Sequence, residues 1–203
     1  MIKLSDKFTY KKLLRFTLPS IAMMIFTSIY SVVDGFFISN FTGVTSFAAV
    51  NLVIPIIMVL SSIGFMFATG GSAYVARQMG EGNTQQAKKS FSLIVSTSAC
   101  VGVFLSVLGI FLIEPIAKLL GAEGQLLSEA VFYGRSCMAF LPAFMLQVQF
   151  QSFMVTAERP QMGLIVTAAA GVTNMILDAL LVAVFNLGVA GAAGATGASQ
   201  LVG

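Results

Sequence analysis

The sequence predicts an all-α membrane protein, a six-helix transmembrane bundle, and three observations carry that prediction. Hydrophobic residues fill 57% of the 203 positions and charged residues only 9%, where a soluble domain carries roughly 25% charged residues. So few charges could not cover a water-soluble surface. The apolar residues, among them eighteen Phe and eleven Met, fall in successive long runs, and a helix of about 20 such residues spans the hydrocarbon core. The charges gather in short clusters between those runs. The first run is too long for a signal peptide and lacks a small-residue cleavage motif, so the mature chain is expected to begin near Met1.

Taken in order, the spans are expected near Leu13 to Ser39, Phe47 to Met79, Ala87 to Ile113, Ser128 to Ala157 and Gln161 to Phe185. The connections are then Asn40 to Ser46, Gly80 to Gln86, Glu114 to Leu127, Glu158 to Pro160 and Asn186 to Gly188, whose Gly, Asn, Pro and charged residues suit turns and caps. A sixth run starts at Val189 and reaches Gly203 with no polar flank; it is too short to cross, so the sequence is expected to be cut inside its sixth span. Pro19, Pro55 and Pro142 lie within spans, each removing a backbone hydrogen bond. Such helices need neighbours packed around them, and the Gly and Ala residues after Gly163 favour close helix contact.

Basic residues set the expected orientation. Lys3, Lys7, Lys11, Lys12 and Arg15 precede the first span, Arg77, Lys88 and Lys89 flank the second connection, and Arg159 lies in the fourth. The odd-numbered connections hold only Lys118. The positive-inside rule therefore puts the N-terminus of a multi-pass cell-membrane protein in the cytoplasm. Arg135, one to two turns into the fourth span, is expected to snorkel to the outer headgroups. The net charge of +3 is read as a topology signal, with no nucleic-acid partner. Cys100 and Cys137 lie in apolar runs with no His or second Cys nearby, and read as buried, unpaired packing residues.

Asp6, Glu81, Glu114, Glu123, Glu129 and Glu158 fall in tails, connections or span ends, which leaves Asp34 and Asp178 as the acidic residues well inside spans. An ionisable group there costs a few kcal/mol at least, so it is expected to face the protein interior and to act there. Thr27, Tyr30, Ser31 and Asp34 follow at i, i+3, i+4 and i+7, one polar stripe expected to point into the bundle. Thr167, Gly171, Asn174 and Asp178 likewise share a face of the fifth span, with Asn174 one turn from Asp178. At about 1.5 Å per residue, Asp34, Asp178 and Thr196 reach a similar depth, roughly 10 Å from the outer ends of their helices. Two carboxylates, an amide oxygen and a hydroxyl make a hard, oxygen-rich set suited to Na⁺ or to shared protons. Two such carboxylates away from bulk water also resist double ionisation.

The plainer reading is that these groups only hydrogen-bond neighbouring helices, for which Asn and Thr would suffice. Gln147, Gln149 and Gln151 are read first as interhelical bonding groups, although Gln147 and Gln151 share a face. With Thr27, Tyr30, Ser31 and Asn51 those two form the candidate cavity-lining set. Most Met and Phe residues are expected to face lipid, with some able to line a cavity for lipophilic substrates.

Four segments resemble the multidrug and toxic compound extrusion (MATE) transporters over essentially the whole chain. Asn174-Met-Ile-Leu-Asp178 is similar to the family's fifth-span Asn-x-x-x-Asp, and Gly188-Val-Ala-Gly-Ala-Ala-Gly-Ala-Thr196 to its sixth-span start. Val33-Asp34-Gly35-Phe36-Phe37-Ile38 resembles its first-span aspartate segment. Ala76-Arg77-Gln78-Met79-Gly80-Glu81-Gly82-Asn83, with Ala87 following, resembles its cytoplasmic loop between spans two and three. The resemblance implies an antiporter, not an enzyme, with twelve helices in two lobes, exporting organic cations or other amphipathic compounds in exchange for H⁺ or Na⁺. It implies that residues 1–203 form the N-terminal lobe and that a C-terminal lobe of the same protein and membrane lipids are its partners. No cofactor is implied beyond the coupling ion. The cation site carried over is Asp34, Asn174, Asp178 and Thr196. The chain departs from the family at Ala179, where many members carry Pro.

Three other readings compete. A lipid-linked oligosaccharide flippase shares the superfamily architecture, but such proteins usually line their cavity with basic residues, and this chain has almost none inside its spans. An intramembrane aspartyl protease would need Tyr-Asp and Gly-x-Gly-Asp contexts, whereas Val precedes Asp34 and Leu precedes Asp178. The third is a structural subunit or a half-transporter that dimerises.

Overall fold

A computed structural model describes residues 9–203, so Lys3, Asp6 and Lys7 of the N-terminal charge reading lie outside the described residues. The described chain forms α1 (Tyr10–Phe41), α2 (Val44–Gly80), α3 (Thr84–Leu119), α4 (Gly124–Thr156), α5 (Pro160–Asp178), a π-helical stretch (Ala179–Val184) and α6 (Gly188–Val202). Among the described residues there is no strand, as the composition predicts. Five helices, the fifth counted through Val184, are long and apolar enough to cross a membrane, while α6 has 15 residues. The chain is a multi-pass membrane protein.

The first four helices outrun their apolar cores. The hydrophobic runs mark only the part that must sit in hydrocarbon, and the polar turns beyond them stay helical because intrahelical bonding satisfies their backbone most cheaply. The expected Glu114 to Leu127 connection shrinks most: Glu114 through Leu119 continue α3, with Pro115 inside the helix. What remains between α1, α2, α3 and α4 are tight links that turn at Gly43, Gly82 and Gly121, whose φ values of 89°, 81° and 87° penalise any side chain.

Two groups of helices make up the bundle. In the first, α4 packs lengthwise on α2 and α3. Glycines set the separation: Gly64 faces Met145, Gly102 faces Pro142, and Gly109 faces Met138. Val53, Ile113, Met138 and Met145 are fully buried at this seam. In the second group α5 lies between α1 and α6, and α6 closes the bundle against α4. Outer faces carry exposed Met24, Phe36, Met66, Phe104 and Phe111, as expected of lipid-facing positions.

Four expectations change. The first-span stripe splits, because α1 stands at the edge of the bundle, resting on α5 with little else against it. Tyr30 and Asp34 are half-buried, whereas Thr27 and Ser31 are exposed. Cys100 is exposed and only Cys137 is enclosed; both are free thiols. The fourth-span glutamines make no hydrogen bonds across helices among the described residues, and Gln149, fully buried, leaves both Oε1 and Nε2 without a partner.

Arg135 does not reach for headgroups. Its Nη2 pairs with Glu114 Oε2 at 2.9 Å and its Nε donates to the Ile110 carbonyl at 3.2 Å, because the extended α3 brings an acidic residue to that level. Lys118 also pairs with Glu114, at 2.9 Å. Both pairs are well exposed, where an ion pair contributes about 1 kcal/mol or less. Glu114→Gln is therefore expected to leave the unfolding temperature of the purified protein within a few degrees of the parent, and a large drop would show that the pair is shielded by lipid.

Candidate functional site

The polar face of α5 is buried along its length: Thr167, Gly171, Asn174 and Asp178 all lie inside the bundle, as their spacing predicts. Small residues on that face let α1 approach. A Cβ on Gly171 would fall 2.5 Å from Phe26 Cε1 and 2.8 Å from Tyr30 Cδ1, and one on Gly163 would fall 3.1 Å from Met23 Sδ. With Met23 beside Gly163 and Tyr30 beside Gly171, the two helices run in the same direction. One turn further along α1 and two along α5, the Asp34 and Asp178 side chains come within hydrogen-bonding reach of one another.

Among the described residues nothing else neutralises this pair. Asp178 is 0% exposed, and neither of its carboxylate oxygens has a hydrogen-bond partner. Asp34 Oδ1, Asn174 Oδ1 and Thr167 Oγ1 are buried and unpartnered in the same way. The ion pairs formed among the described residues involve other carboxylates. Buried charges without partners are unstable, and two touching carboxylates cannot both stay ionised unless something positive sits between them. A shared proton or a bound Na⁺ meets that demand, and the unpartnered oxygens of Asp34, Asn174 and Asp178 are hard acceptors fit for either.

The remaining predicted residues divide. Thr196 is half-buried on α6, where its carbonyl accepts from Ser199 Oγ at 2.8 Å. Its hydroxyl makes no hydrogen bond to either carboxylate among the described residues, so α6 borders the pair without closing on it. Tyr30 flanks Asp34 one turn earlier and is half-buried. Asn51 is exposed and donates from Nδ2 to its own helix, at the Phe47 carbonyl, 2.8 Å away. Gln147 is buried against Gly203 at the end of α6, and Gln151 is half-buried. The structure does not bring Asn51, Gln147 or Gln151 to the carboxylates.

One residue of the site escapes the sequence reading. Tyr133 on α4 is 5% exposed and lies within electrostatic reach of both Asp34 and Asp178. The available signal was the Tyr133/Cys137 pair at i, i+4, which marks a polar spot on an apolar helix.

The fifth helix changes geometry immediately after the site. From Ala179 to Val184 the backbone is π-helical, and Phe185 N donates to the Leu180 carbonyl at 2.8 Å. The irregularity falls where Pro was the expected device and is absent. Single π turns inside α-helices frequently mark functional positions. Gly191 of α6 packs on this stretch: a Cβ there would lie 2.9 Å from the Leu181 carbonyl oxygen.

A family model, MatE, matches residues 19–180. The chain belongs to the MatE family. It is 30% identical over 193 residues to the multidrug export protein MepA of Staphylococcus saprophyticus, covering 95% of this chain and 43% of that protein. It is 25% identical over 192 residues to MepA of Staphylococcus aureus, again covering 95% of this chain and 43% of the relative. The chain thus spans less than half the length of these MatE relatives. Solved structures share the fold: a MOP superfamily transporter from Pyrococcus furiosus superposes with a TM-score of 0.89 at 23% identity, over 97% of this chain and 46% of the other. A MATE crystal structure in complex with MaD3S gives 0.90 at 24% identity, over 95% of this chain and 43% of the other.

Proposed function

We propose that this chain is the N-terminal lobe of a secondary active multidrug exporter that extrudes organic cations or amphipathic compounds in exchange for H⁺ or Na⁺. The observation that carries the reading is the Asp34–Asp178 pair, two buried carboxylates in contact with no basic partner among the described residues. The names of the staphylococcal relatives support the drug-export part. In this reading Asp34, Asn174 and Asp178 hold the coupling ion, Thr196 joins them when α6 moves inward, and Tyr133 lies within electrostatic reach of the carboxylates from α4. The N-terminus is cytoplasmic, a second lobe completes the protein, and Thr27 and Ser31, exposed on α1, face the cavity between the lobes.

Ion and drug are linked because a ligand shifts an equilibrium only through unequal affinity for two states. An ion on the carboxylate pair cancels the repulsion between α1 and α5 and favours the packing described here. Its loss lets α1, held chiefly by α5, separate and reshape the cavity. The test is efflux from proteoliposomes of the complete protein under Na⁺ and pH gradients imposed one at a time. One gradient is expected to drive a lipophilic cation such as ethidium, and transport indifferent to both would overturn the proposal.

A further inference from the structure

The loop after α2 and the start of α3 carry features that the exporter reading does not use. At the end of the bundle where α1 begins, a cavity of about 340 Å³ lies between the last turns of α2 and α4 and the first turns of α3. Its walls are apolar, formed by Val75, Met79, Phe91, Phe150 and Phe153, with Lys88 at the rim. The rings are held in place by one another, Phe91 meeting Phe153 edge-on at 4.7 Å and Phe150 at 6.4 Å. Beside it is a second cavity of about 350 Å³ with polar walls, lined by Asn83, Gln85, Gln86 and Lys89. Thr84 lines both.

The charge at this corner is unbalanced. Arg77 is paired with Glu81 at 2.9 Å, whereas Lys88 and Lys89 are exposed and form no ion pair among the described residues. An apolar slot with Lys88 at its rim, a neighbouring polar slot lined by Lys89, and no ion pair on either ammonium group among the described residues match an amphiphile with a hydrocarbon tail and an anionic head. Basic pockets between spans near the headgroup level are a recurrent means of holding acidic lipids.

We propose that this corner is a binding site for an anionic phospholipid, with one acyl chain in the Phe91–Phe150–Phe153 cavity and its phosphate beside Lys88 and Lys89. The site is separate from the carboxylate pair and stands whether or not the exporter reading does.

The sequence contains no Trp, so Phe150→Trp in the complete protein places a reporter in the apolar cavity, its signal taken as the difference from the parent. Reconstituted with brominated phospholipids, this variant is expected to reach half-quenching at about tenfold lower mole fraction of brominated phosphatidylglycerol than of brominated phosphatidylcholine. Lys88→Gln with Lys89→Gln is expected to bring the two curves together, while Lys118→Gln at the other end leaves them apart. Equal quenching by both lipids, a preference that survives loss of both lysines, or no quenching by either because protein covers the cavity would each overturn the proposal. Native mass spectrometry of the unaltered protein gives a second measurement. Retained phosphatidylglycerol that disappears in the double lysine variant supports the site, and retention unchanged by it counts against it.

Discussion

Asp178→Asn in the complete transporter is expected to abolish ion-coupled efflux while leaving insertion and folding intact. The amide keeps the shape of the carboxylate and removes the charge that the bundle leaves unpartnered, so it relieves a desolvation cost instead of adding one. What disappears is the energetic link between ion and drug. Couplings of this kind are worth about 5- to 150-fold in affinity, and with the acceptor gone the expected factor is one. The measurement is drug binding by the purified variant with and without Na⁺, and across pH, alongside efflux in proteoliposomes. Asp34→Asn should behave alike, since both residues belong to one site. Normal ion dependence in both variants would remove the carboxylate pair from the mechanism.

The second large effect concerns a residue with no chemistry of its own. Gly171→Leu is expected to destabilise the protein by about 1–3 kcal/mol, the usual cost of forcing extra volume into a packed seam, and to uncouple transport with both aspartates still present. A side chain there meets Phe26 and Tyr30 on α1, so the helices must part and Asp34 moves away from Asp178. The cysteine pair Met23→Cys with Gly163→Cys provides the structural measurement, because it samples the same seam two turns away. Its disulfide yield should fall in the Gly171→Leu background. An unchanged yield with full efflux would mean that α1 and α5 need not touch for coupling.

The sequence exposed the site better than its surroundings. Periodicity on the fifth span was enough to turn Asn174 and Asp178 inward, because a helix buried along one face must put its polar residues on that face or pay for them in hydrocarbon. The same rule turned Thr27 and Ser31 inward, whereas within this chain they are exposed. It assumes that neighbours surround the helix, and α1 has a close neighbour only in α5. Helix lengths were understated for a related reason: hydropathy registers the bilayer and says nothing of where hydrogen bonding stops, so Glu114 and Lys118 read as loop although they sit in α3. Tyr133 was invisible because a lone tyrosine in an apolar run has many uses, and only the packing of α4 against the other helices shows which one applies. Gln149 marks a further limit: its sequence position suggested an interhelical bond, yet the fully buried amide finds no protein partner.

The wide turn that follows Asp178 amounts to spare length in the chain. A bond closing over five residues, as from Phe185 to Leu180, stores one more residue than an α turn does. Letting that residue out would lengthen the fifth helix by about 1.5 Å and rotate everything beyond it by roughly 100°, the increment of one α-helical step. The rotation would carry Asn186 and the start of α6 while Asp178 stayed in place. Gly191, whose absent side chain leaves room at the Leu181 carbonyl, is where the sliding surface has no tooth to catch on.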